Sequence, residues 1–238
     1  MRKTYIAATA ATLALGAAGI AYAQNPAPTI TATAKLSPSK AGTKSKPKAS
    51  GVTLSVKNNP ASKTTAAKIA ISFPSTLKLS TKGLPQCTKS DDELVNAGTG
   101  ACKSSIAGKG TASAILNPNS ATPAPLNFQV TPLVGKNEIL FFLKQSPGAV
   151  QAVLHGKISG KKLTITIPDF LQQPAPGTFS ALNDLQTTMK LNKGKNALIT
   201  STGCTSKKQK LGVTISFVPN PTPPASSTAS TTAEAACS

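Results

Sequence analysis

Tryptophan is absent from the 238-residue chain; arginine and histidine occur once each, and tyrosine twice. With His155 as the single imidazole, a Ser-His-Asp hydrolase has one candidate base, and a metal site built on several histidines is excluded. The G-x-S-x-G, H-E-x-x-H and P-loop signatures are missing as well. Acidic residues number 7 against 26 Lys+Arg, which leaves little for a glycosidase, whose chemistry needs two carboxylates across a cleft. Three of the seven, Asp91, Asp92 and Glu93, follow Ser90 in a capping-box pattern that explains them better than a calcium site does. Asp169 and Asp184, flanking the segment from Phe170 to Phe179, are the pair that could converge. No catalytic residue, metal site or cofactor is assigned, and the chain is read as not an enzyme. No apolar run is long enough for an internal membrane span.

The first 23 residues have the layout of an export signal. Arg2 and Lys3 form a positive start, Ala7 to Ile20 is a weakly apolar stretch, and Ala21-Tyr22-Ala23 is an A-x-A site before Gln24. No lipobox cysteine follows, so the expectation is a secreted or envelope-associated protein cleaved after Ala23. Removing residues 1–23 takes away Arg2, Lys3 and both tyrosines, Tyr5 and Tyr22. The remainder has 26 − 2 = 24 lysines against 7 acids, a net charge of +17, and its aromatics are all phenylalanine.

That charge draws polyanions. Base readout uses arginine forks and single-strand binding uses aromatic platforms, so specific nucleic-acid recognition is not expected. Stacking on sugar rings is disfavoured for want of Trp and Tyr. Anionic cell-wall polymers or acidic glycans are the more natural partners, with Lys40, Lys44, Lys46 and Lys48 of the Ser/Gly/Pro-containing segment 37–51 as candidate contacts. The plainer reading is that distributed lysines keep an exported protein soluble.

The remainder reads as all-β. Period-two alternation recurs over Ile30–Leu36, Val52–Val56, Ile69–Phe73, Leu126–Val130 and Leu211–Phe217, with shorter pieces at Leu77–Leu79 and Thr111–Leu116. Ile139 to Leu143 is apolar on both faces and predicts a strand covered on both sides. A two-residue turn at Gly160-Lys161 pairs Ile158 with Leu163 and Leu154 with Ile167. His155 then falls on the other face, beside Gln151 and Lys157, as a solvated side chain. Helical signals are few: a capped helix after Ser90 ending near Gly98, and a second short helix near Ser180–Leu185. The expected organisation is a signal at 1–23, a flexible lead at 24–29, an antiparallel β-sandwich at 30–218 and a Pro/Thr/Ser/Ala-rich segment at 219–238. The sandwich is immunoglobulin-like or a related Greek key, with one short helix in a disulfide-closed loop; two smaller β domains are the alternative.

Four cysteines remain after export, an even count that suggests disulfides. Three pairings are open, and Cys87–Cys102 with Cys204–Cys237 is favoured. The second pair would make 219–238 part of the fold, with Ser227 to Ala236 returning as an edge strand; a disordered tail is the competing reading.

Phe73-Pro74, Leu84-Pro85-Gln86-Cys87, Cys102 and Ile106-Ala107-Gly108-Lys109-Gly110 together resemble the F-P … G-L-P-x-C … C … I-G-x-G pattern of uncharacterised exported proteins from actinobacteria and related high-GC Gram-positive bacteria. The last element departs from it by one extra residue. The resemblance covers about 40 residues and implies an exported β-sandwich, with no activity attached.

Overall fold

A computed structural model describes residues 26–218 and 227–238. Residues 1–25, which include the expected export signal, and residues 219–226 lie outside the described residues. The strands are β1 (Ile30–Ser37), β2 (Lys48–Asn58), β3 (Thr65–Ser72), β4 (Leu77–Leu79), β5 (Gly108–Leu116), β6 (Ala124–Val134), β7 (Glu138–Gln145), β8 (Gln151–Ser159), β9 (Lys162–Thr166), β10 (Ser180–Met189), β11 (Asn192–Lys193), β12 (Asn196–Ala197), β13 (Ile199–Ser201), β14 (Lys208–Val218) and β15 (Ser227–Ala236). Two short α-helices, α1 (Asp91–Ala97) and α2 (Asp169–Gln172), join them, with 3-10 turns at Pro60–Ser62 and Thr99–Ser105.

The chain is all-β, as its alternation predicts. Pairing is antiparallel along one path, β15-β14-β3-β9-β8-β7-β6-β5-β10-β2-β13-β4, with β1 on β2. β1 also packs against β15, so the path turns back on itself around one core. Beyond β1, the Ala41 N–H donates to the Ser238 carbonyl at 2.6 Å. The inward residues of β14, Leu211, Val213, Ile215 and Phe217, are almost fully buried. The β8–β9 hairpin has the expected register, Ile158 opposite Leu163. Its turn holds Gly160 at φ +58°, a conformation that favours glycine.

β7 is covered on both faces, as its sequence requires. Ile139, Phe141 and Leu143 belong to the main core, whereas Leu140 and Phe142 pack outward with Leu94, Leu133 and Val153. The outer cover is the loop closed by the Cys87–Cys102 disulfide. It carries α1, whose Ser90 Oγ accepts from the Glu93 N–H at 3.2 Å while Glu93 Oε2 accepts from the Ser90 N–H at 2.9 Å. The second disulfide joins Cys204 to Cys237. It fixes β15, the strand that the C-terminal segment forms on β14.

One expected helix is a strand. Ser180–Leu185 lies in β10, between β5 and β2. A bulge between Leu182 and Asp184 brings Leu182 and Leu185, three residues apart, to the same interior, which imitates helical spacing.

Because neighbouring strands run antiparallel, successive connections fall at opposite ends of the wall. Connections 59–64, 117–123, 146–150 and 167–179 share one end; 38–47, 73–107, 135–137, 160–161 and 190–207 share the other.

Candidate functional site: an apolar cavity at one end of the wall

The interior is not filled at the first of these ends. A cavity of about 360 Å³ lies among β3, β5 to β10 and α2. Its origin is legible in the register. On β5, Ala112 stands between Phe128 of β6 and Leu185 of β10, and Ala114 stands between Leu126 and Leu182. All six line the cavity. Two alanines in a row of positions otherwise held by Leu and Phe leave side-chain volume unoccupied, where a packed interior would be filled.

The roof is α2 with the turn that follows. Gln172 Nε2 donates to the Ile167 carbonyl at 2.6 Å, and the Ser180 hydroxyl donates to the Leu171 carbonyl. These bonds hold Phe170, Leu171 and Pro174 over the opening. Phe170 is 54% exposed and Val150 40% exposed; among the described residues these are the large apolar side chains left in solvent, and both line the cavity. The mouth is therefore an apolar rim.

Among the described residues no charged side chain lines the cavity. Its polar members are Ser113, Ser180 and Thr187. Ser113 is spent on Asp184, with Oγ donating to Oδ2 at 2.5 Å. Thr187 is buried, and its hydroxyl has no hydrogen-bond partner among the described residues. A preformed, almost wholly apolar space that opens at one end is suited to holding part of a small molecule, not to moving protons.

Asp169 and Asp184 are engaged separately. Asp169 accepts from Gln172 Nε2 at 3.3 Å within α2, and Asp184 takes the Ser113 hydroxyl. Around α1, Glu93 is held by Lys89 at 2.8 Å and by the cap; the Lys89 hydrogen bond foremost, then the Ser90 backbone, lowers its pKa. Among the described residues no group of three or more His, Cys, Asp or Glu is arranged to hold a metal. Lys40, Lys44, Lys46 and Lys48 are exposed at the end opposite the mouth.

His155 departs from the solvated side chain its strand position suggests. It does face outward from the main core, but α1 crosses that face. Nδ1 lies 2.9 Å from Glu138 Oε2, and Nε2 lies 3.0 Å from Asp91 Oδ2. Two carboxylates can only accept, so both ring nitrogens must donate, which is the imidazolium form. Burial opposes that charge, but the hydrogen bonds that the ring donates to Asp91 and Glu138 outweigh it and the pKa is raised. A raised pKa contributes stability that is full below the ordinary histidine range and lost as pH rises through the folded value. With the ring 42% exposed, screened pairs of this kind contribute about 0.2–1 kcal/mol each. His155→Gln should therefore lower stability by about 1 kcal/mol at pH 5.5 and by less at pH 8.5, read by urea unfolding. An equal loss at both pH values would contradict the ion-pair role.

No protein-family model, curated protein or solved structure matches the chain. The two disulfides fit folding in an oxidising compartment outside the cytoplasm. Among the described residues no helix is long and apolar enough to cross a membrane.

Proposed function

We propose that the chain is an exported, non-catalytic binding protein of the cell envelope that holds one uncharged apolar chain in its cavity. The observation that carries this reading is the cavity itself: about 360 Å³, apolar, and opening beneath an exposed phenylalanine. The layout of residues 1–23 and the two disulfides support delivery outside the cytoplasm. The lack of any titratable group among the described lining residues supports binding over catalysis.

The volume sets the ligand's size. At roughly 30 Å³ per non-hydrogen atom, the share of a water molecule in the liquid, the space takes about a dozen atoms of chain. Each methylene removed from water contributes about 0.8 kcal/mol, from which immobilisation must be subtracted. Calorimetric titration of the chain from Gln24 onward with 1-decanol should show one site, with a dissociation constant on the order of 10 µM and a negative heat-capacity change. Absence of saturable binding would overturn the reading.

A further inference from the structure

We infer that the end of the wall opposite the mouth is a docking surface for a linear, phosphate-rich anionic polymer. The observation is a separation of charge that composition alone does not show. The four described connections at the mouth end between residues 59 and 179 contain one lysine, Lys63, and one acid, Asp169. At the opposite end, connection 38–47 alone carries Lys40, Lys44 and Lys46, and connection 190–207 carries Lys190, Lys193, Lys195 and Lys207. All seven are exposed, and among the described residues none is in an ion pair.

These lysines are brought together by the fold. Gly42 packs so closely that a Cβ there would stand 2.5 Å from the Lys48 nitrogen and 2.7 Å from the Ser201 carbonyl oxygen. The 38–47 loop therefore lies on β13, next to the segment that ends at Lys207. The Cys237 N–H donates to the Lys207 carbonyl at 2.9 Å, and Ala41 bonds to Ser238. The acids of this end lie outside the two lysine-bearing connections: Asp91 and Glu138 engage His155, Glu93 engages Lys89, Glu234 is taken by Lys208 and Lys210, and Asp92 is exposed on α1, while 38–47 and 190–207 hold no acid.

The chemistry of the surface narrows the partner. Lysine binds phosphate as a point charge, without the fork that selects planar anions, so charge density decides affinity. A bilayer fits poorly, because Val150 and Phe170, the exposed large apolar side chains, sit at the other end and nothing at the basic end would insert. Base-reading contacts fit poorly too, because Arg2 is the only arginine and Phe170 the only exposed aromatic among the described residues. A polymer held there would leave the mouth facing away from it.

The test is anisotropy titration of a labelled inorganic polyphosphate over a series of salt concentrations. Two triple variants remove the same charge: Lys40/Lys44/Lys46→Gln at the basic end, and Lys57/Lys68/Lys144→Gln from strands in the mouth half. The first should weaken binding at least about tenfold and reduce the slope of log affinity against log salt by about 2–3; the second should change the slope by less than about 1. In the wild-type chain, polyphosphate should protect Lys44, Lys46, Lys193 and Lys195 from acetylation and leave Lys57 and Lys144 reactive. Equal losses in the two variants, uniform protection, absence of binding, or equal affinity for hyaluronate or phosphatidylglycerol vesicles would each overturn the proposal. None of these outcomes depends on the cavity being occupied, so this surface and the apolar site stand or fall separately.

Discussion

Replacing Cys237 by serine should destabilise the protein by about 3–4 kcal/mol. Cys204 and Cys237 are 33 residues apart, and closing a loop of that length removes this much conformational freedom from the unfolded chain. The fold amplifies the loss. The disulfide lies just beyond the end of β15, and β15 covers β14 along its length while also contacting β1. Ala229, Ala233 and Ala235 are buried in the main core by that strand. For a domain of this size the melting temperature should fall by roughly 10 °C, followed by circular dichroism. A shift of only a degree or two would mean that β15 stays docked without its covalent tie. The Cys87–Cys102 disulfide closes a shorter loop, 15 residues apart, and its removal should cost less globally. Its effect should fall first on the outer cluster around Leu94, Leu140 and Phe142.

Ala112→Phe should abolish most ligand binding while leaving the fold intact. The added ring would occupy the space between Phe128 and Leu185 and displace about four methylenes of ligand. At about 0.8 kcal/mol each this is roughly 3 kcal/mol, or a loss of about 100-fold in affinity for 1-decanol. Filling an apolar void normally stabilises, so the unfolding midpoint should stay level or rise. Ala114→Leu serves the same purpose with less added volume, for the case in which the larger ring disturbs β5. Unchanged affinity in both variants would place the ligand elsewhere.

The elements that reveal themselves in the sequence are those whose cause is local. Period-two alternation marks β2, β3 and β14, and the double-faced apolar run of β7 announces a cover on its outer side, which the α1 loop supplies. Ser90 and Glu93 specify a capping box within four residues. Four cysteines leave three pairings open in the sequence; the favoured one, Cys87–Cys102 with Cys204–Cys237, is the one the fold adopts, and with it β15 returns onto β14. What stays hidden depends on residues far apart in the chain. His155 meets Asp91 across 64 residues, so nothing beside it in sequence betrays its two carboxylates. The bulge in β10 breaks the alternation that would have marked it as a strand. The cavity is a matter of missing volume: Ala112 and Ala114 are unremarkable in a Thr/Ala/Ser-rich strand until register sets them against Phe128, Leu126, Leu182 and Leu185.

Residence of an apolar chain inside the wall can be tested by locating a bound one. Uniformly 13C-labelled 1-decanol bound to the protein should give nuclear Overhauser contacts from its methylenes to the methyl groups of Leu126, Leu182 and Leu185 and to the ring of Phe128. Contacts confined to Val150 and Phe170 at the rim, or to the outer surface, would contradict it.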